Sequence, residues 1–133
     1  MQSAKYHPER DALYHSLQVF QCSLRDTNNP VLWAGALFHD VGKSIDYPNH
    51  DTVGAQELAG ILNREICWLV EHHLDLLTSP AKTRRRLKGS KQLAYLEMLR
   101  RWDLQGRQVG VDVISVEKAL DILSPHANII MEK

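Results

Sequence analysis

Apolar residues along this chain recur at intervals of three and four, the spacing that lines one side of a helix. No stretch shows the sustained two-residue alternation of strands joined by hairpin turns. The pattern predicts an all-α fold of about six to seven helices packed into one compact domain over the whole chain. A first helix is expected near residues 9–25, where Leu13, Leu17, Phe20 and Leu24 form a stripe that Ala12, Val19 and Cys22 widen. Asn28-Asn29-Pro30 supplies a cap and a first-turn proline for a second helix, which Gly42 should stop, so that His39 and Asp40 fall in its last turn. Asp51 or Thr52 caps a third helix to about Leu62, and Asn63 a fourth through about Leu74. Ser79-Pro80 opens a short basic helix and Ser90 caps a longer one from Lys91 to about Leu104. A C-terminal helix over 113–123 should end at Ser124-Pro125.

Certain polar residues lie where apolar ones belong. Asp40 follows Ala36 and Leu37, and Asp103 follows Leu96 and Leu99, at helical spacing, so both carboxylates point along core-facing rows. His15 completes the row Ala12, His15, Val19, and His73 completes Ile66, Leu69, Val70, His73. A buried carboxylate without a partner is disfavoured by several kcal/mol, and the end of a helix dipole disfavours Asp40 further. Imidazoles and carboxylates converging from separate helices therefore call for a cation. A mixed His/Asp donor set accepts Mn, Fe, Co, Ni or Zn.

Composition narrows the classes of function. The 133 residues are 44% apolar, enough for a real core, and the net charge is zero at a pI of about 7.1. Such a molecule has no overall field for long nucleic acid or an anionic membrane, so any affinity for phosphate must be local. No apolar run approaches the roughly 20 residues of a membrane span. The first ten residues are too polar for a signal peptide, and Cys22 and Cys67 read as free core thiols of a reducing compartment; the cytoplasm is the expected location.

The order of histidine, His-Asp doublet and distant aspartate resembles the HD superfamily of metal-dependent phosphohydrolases. The doublet stands in Leu37-Phe38-His39-Asp40-Val41-Gly42-Lys43, followed by His50-Asp51-Thr52-Val53-Gly54-Ala55, similar to the family's HxxxGA segment, then by Val70-Glu71-His72-His73 and Leu99-Arg100-Arg101-Trp102-Asp103. The likeness covers roughly residues 11–107. It is strongest to the HD domain attached to bacterial CCA-adding tRNA nucleotidyltransferases, where a basic KTxxxL-like stretch lies between the last histidine and the last aspartate; this chain would be a stand-alone HD domain.

The resemblance implies that His15, His39, Asp40 and Asp103 hold one divalent ion, and that His50 with one or both of His72 and His73 holds a second, Asp40 bridging. Asp11, one turn before His15, matches an additional carboxylate of one branch but is equally a solvated acid at a helix start. Two such ions, about 3.5–4 Å apart, make hydroxide available at neutral pH and polarise a phosphoryl group, with no protein nucleophile required. Asp40 and Lys43 are the expected catalytic residues, Lys43 also touching substrate, or else serving as a plain cation at a helix end. Lys82 to Lys91 carries six basic residues in ten, and Arg84, Arg85 and Arg86 are expected to hold a phosphate or nucleotide at the mouth of the pocket, with Arg107 a weaker candidate. The expected substrate is a small phosphomonoester or phosphodiester, such as a nucleotide or a 2′,3′-cyclic phosphate. A mixed-valence di-iron oxygenase and a non-catalytic metal-binding module are the alternatives. A homodimer burying Trp33 or the last helix is compatible with the sequence.

Overall fold

The computed structural model describes residues 8–40 and 55–132, with side chains from residue 12 onward. The helices are α1 (Pro8–Asp26), α2 (Pro30–Phe38), α3 (Arg64–His72), α4 (Asp75–Thr78), α5 (Pro80–Arg86), α6 (Lys91–Gln105), α7 (Val116–Leu123) and α8 (Ala127–Ile130), with a 3-10 turn at Ser124–His126. Residues 55–58 are also helical. Two isolated bridges, Ala59 with Leu62 and Leu62 with Met131, are the extended pairings among the described residues, and the all-α expectation holds.

The starts of the helices follow side-chain chemistry. Asn29, Asn63, Ser90 and Ser115 each accept a hydrogen bond from a first-turn backbone N–H, at 2.8–3.1 Å, and such a cap typically stabilises by about 1 kcal/mol. The ends depart more from expectation. α2 stops at Phe38, with His39 as its C-cap and Asp40 in the turn beyond, and Gly42 lies outside the described residues. The helix expected to reach Leu62 ends near residue 58, because Gly60 turns the chain at φ +82°, where only glycine is unstrained. α3 ends at His72 and is followed by the separate turn of α4. α7 ends at Leu123 with Ser124 as its C-cap, as expected, but it starts at Val116 and is not the last element: Pro125, lacking an N–H, sits in the 3-10 turn that follows, and α8 comes after it.

α2 sits in the middle. Val31, Leu32, Ala34, Gly35, Ala36 and Leu37 are all buried, and the helix packs against α1, α3, α6, α7 and α8. Its small residues permit close approach; a Cβ on Gly35 would stand 3.4 Å from Leu69 of α3. Val19 and Phe20 of α1, Ile66 and Val70 of α3, and Leu96, Leu99 and Trp102 of α6 complete the core. Leu13, expected on the apolar stripe, is 45% exposed. Trp102 donates its indole N–H to Asp26 at 2.8 Å, tying α6 to the end of α1. Cys22 and Cys67 are free and half-buried, and burial raises both thiol pKa values. Trp33 is engaged within the chain, donating to Thr27 O and packing edge-on to His126. This packing delivers the middle of α1 and the C-terminal ends of α2, α3 and α6 to one place.

Candidate metal centre

Three histidines are anchored in the same way. A helix leaves its last carbonyls without an intrahelical partner, and a C-cap histidine can reach back to one of them. His39 does so at the end of α2, with Nδ1 2.7 Å from Ala36 O, and His73 at the end of α3, with Nδ1 2.6 Å from Val70 O. His15, from the middle of α1, has Nδ1 2.8 Å from Gly106 O, just past α6. A carbonyl only accepts, so each Nδ1 carries the proton that it donates and each Nε2 faces the other way.

The Nε2 atoms meet two carboxylates. Asp103 Oδ1 lies 2.7 Å from His15 Nε2 and 3.1 Å from His39 Nε2. Asp40 Oδ2 lies 3.1 Å from His39 Nε2 and 3.7 Å from His15 Nε2, while its Oδ1 lies 3.5 Å from His73 Nε2. His39 is fully buried, Asp40, His73 and Asp103 nearly so, and the side chain of His15 is 11% exposed. The rings of His39 and His73 are edge-on at 5.1 Å, and those of His15 and His39 at 5.6 Å.

With every Nδ1 protonated, a neutral imidazole would turn its Nε2 lone pair toward carboxylate oxygen, which is repulsive unless something positive lies between. A proton is one answer. Burial alone lowers the pKa of His39, but Asp40 and then Asp103 outweigh it and hold it up to about 10. Burial would likewise raise Asp103, yet the imidazoles of His15 and His39 keep its carboxyl far below the usual range. His73, by contrast, is lowered, first by burial and further by the charge of His39.

A divalent cation is the other answer, and the donors fit it. One ligand atom from each of His15, His39, Asp40 and Asp103 lies within 4.8 Å of all the others. Bonds of about 2.1 Å place neighbouring ligands about 3 Å apart and opposite ones about 4.2 Å apart, so small shifts suffice. Second-sphere acceptors on Nδ1 are the usual support of metal-bound histidine. The two oxygens of Asp40 face different imidazoles, Oδ2 toward His39 and His15 and Oδ1 toward His73.

The other expected residues divide. His72 is not brought to the cluster: its Nδ1 lies 2.8 Å from Asp75 Oδ2 and its ring stacks on Trp68 at 4.4 Å. Lys43 and His50 lie outside the described residues, as does the side chain of Asp11. Within the basic stretch, Arg84 pairs with Glu97 at 3.1 Å and Arg86 with Asp75 at 3.2 Å, while Arg85 is exposed. Two cations reach the cluster instead. Arg107 Nη2 lies 3.4 Å, and Arg100 Nη1 3.9 Å, from Asp103 Oδ2. Arg100 was not singled out from sequence, although its place three residues before Asp103 puts it on the same helical face.

No curated protein matches the chain significantly. The model of the HD domain family matches residues 12–105, from three positions before His15 to two positions past Asp103. With most of its length matched and its histidines and aspartates gathered as described, the chain belongs to the HD domain family, whose members are generally metal-dependent hydrolases.

Proposed function

We propose that the protein is a metal-dependent phosphohydrolase acting on a small phosphomonoester or phosphodiester, a nucleotide or a 2′,3′-cyclic phosphate. The observation that carries this reading is the convergence of three Nε2 atoms, each set by a backbone acceptor on Nδ1, upon two buried carboxylates. His15, His39, Asp40 and Asp103 would hold one ion, and Asp40 and His73, with a contribution from His50, would hold a second. When bound, the cation supplies Lewis acidity toward a phosphoryl oxygen and makes hydroxide available from water near neutral pH.

The chain's own residues do the rest. The backbone acceptors fix the imidazole orientations, so that each Nε2 already faces the carboxylates. Full burial of His39 and near-full burial of Asp40 keep bulk water from the inner side of the site, where each charge interaction is stronger. Asp103 links the donors to the two arginines beside it. A nucleotide or RNA end is proposed as substrate from the sequence motifs that resemble the HD domain of CCA-adding enzymes; the family match itself reaches only to the HD domain. No described helix is long and apolar enough to cross a membrane, and a cytoplasmic setting is proposed.

The test is metal analysis of protein purified without chelator, followed by a phosphoester panel with manganese. Stoichiometric metal and hydrolysis lost on chelation and restored by manganese are expected, with both abolished in His39→Ala and Asp40→Ala. Oxygen uptake by ferrous protein without hydrolysis would identify an oxygenase instead. Metal with neither activity would leave a binding module.

A further inference from the structure

The two arginines at Asp103 have no place in the ligand set, yet they stand against its outer face. Asp103 Oδ1 turns inward to His15 and His39, whereas Oδ2 meets Arg107 at 3.4 Å and Arg100 at 3.9 Å. A guanidinium has five N–H donors in a planar fork. Arg107 offers one of them to Asp103, and Arg100 stands beyond hydrogen-bonding distance, so both retain donors. Their side chains are 55% and 27% exposed, which places them between the buried ligands and solvent.

Arg107 is also held in place. The residue before it, Gly106, has its carbonyl engaged by His15, and the residue after it, Gln108, is gripped twice by Gln18: Gln18 Nε2 donates to Gln108 O at 2.8 Å, and Gln108 N donates to Gln18 Oε1 at 3.2 Å. Tyr14 and Gln21 fasten the same segment farther on, at Val111 and Ile114. The backbone of Arg107 is thus bracketed on both sides by α1, which fixes where its side chain leaves the chain.

Charge indicates what the pair would recognise. As ligands, His15, His39 and His73 are neutral. Asp40 and Asp103 balance one divalent ion, and Arg100 and Arg107 leave the described site with two positive charges; a second ion would only add to them. A phosphomonoester carries close to two negative charges at pH 7, because its second pKa is about 6, whereas a diester carries one. Resting on the hydrolase reading above, we propose that Arg100 and Arg107 form the phosphate-recognition pair and select a dianionic phosphomonoester over a diester.

The experiment uses manganese-loaded protein, with p-nitrophenyl phosphate, bis(p-nitrophenyl) phosphate and inorganic phosphate as probes. Wild type should favour the monoester. Arg107→Gln and Arg100→Gln should each raise KM for the monoester about tenfold, and weaken inorganic phosphate binding alike, as expected for losing a charge-assisted bond. The diester should be affected less. Manganese affinity should hold or rise, since a cation near the metal has been removed, and Arg101→Gln, an exposed cation on the same helix, should change nothing. A preference for the diester in wild type, or unchanged KM and phosphate binding in both variants, overturns the inference while hydrolysis stands. A parallel fall in manganese affinity overturns it too, by making the arginines mere braces of Asp103. Metal-loaded wild type that neither hydrolyses the esters nor binds phosphate overturns the hydrolase reading and this inference together.

Discussion

Gly106→Ala should weaken metal binding without altering any ligand. Gly106 has an ordinary φ of −82°, so backbone freedom is not why glycine is needed there. Space is: an added Cβ would stand 2.7 Å from Val19 Cγ2, 3.0 Å from Val19 N and 3.2 Å from Trp102 O. Carbon atoms rest about 3.5–4.0 Å apart, so about 1 Å must be found. Val19 is fully buried, and a helical valine is held to one rotamer, so the methyl cannot swing aside. The turn must therefore back away from α1, taking with it the carbonyl that orients His15. Overpacking of this kind costs about 1–3 kcal/mol, which a domain stable by about 5–15 kcal/mol survives. Loss of an outer partner of a ligand weakens metal affinity about 10- to 100-fold. Manganese titration and melting curves should show both effects, and Val19→Ala in the same chain should recover part of them, because it deletes the clashing methyl. Unchanged metal affinity in a folded Gly106→Ala protein would refute the account of how His15 is set.

Two further outcomes follow from particular contacts. His73→Ala should reduce manganese content from two ions per chain to one, whereas His72→Ala, which removes a partner of Asp75 and Trp68, should leave it unchanged; native mass spectrometry distinguishes them. The pKa of Asp26 is lowered to about 2, first by its hydrogen bond with Arg25 and then by that with Trp102. A depressed carboxylate contributes stability above its unfolded pKa and loses it as pH falls through the folded one, so Asp26→Asn should flatten the loss of Tm between about pH 4 and pH 2.

The parts of this molecule that are local were legible in its sequence. Asn63 and Ser90 announce helices because a cap acts within three residues, and the row Ile66, Leu69, Val70 points to His73 rather than His72 because one helical face continues to it. The convergence of His15 and Asp103 was legible only as a cost: polar groups on apolar rows need a partner, although periodicity does not say which. For the basic stretch the sequence shows the charges but not their tertiary partners. Glu97, thirteen residues from Arg84, and Asp75, eleven from Arg86, pair with two of its guanidinium groups, contacts that a local reading does not reach. The Nδ1 anchors also escape such a reading, since C-cap geometry at His39 and His73 appears only once the helices end where they do.

Because the donors come from the middle of α1 and the ends of α2, α3 and α6, a bound ion would act as a cross-link between distant parts of the chain. Asp40 and Asp103 both lie 3.1 Å from His39 Nε2 and raise its pKa, so a proton on His39 can also hold the two carboxylates together. The metal-free protein should therefore remain folded but be less stable. An ion that binds only the folded chain, at a thousand times its Kd, adds about 4 kcal/mol. For a domain of this length that is on the order of 10 °C in Tm. Chelation should lower Tm accordingly and manganese restore it. His39→Ala and Asp40→Ala should show no manganese-dependent shift, while His72→Ala shifts like wild type. A wild-type Tm indifferent to chelator and manganese alike would mean that the cluster is held by its proton alone and that no ion is bound there.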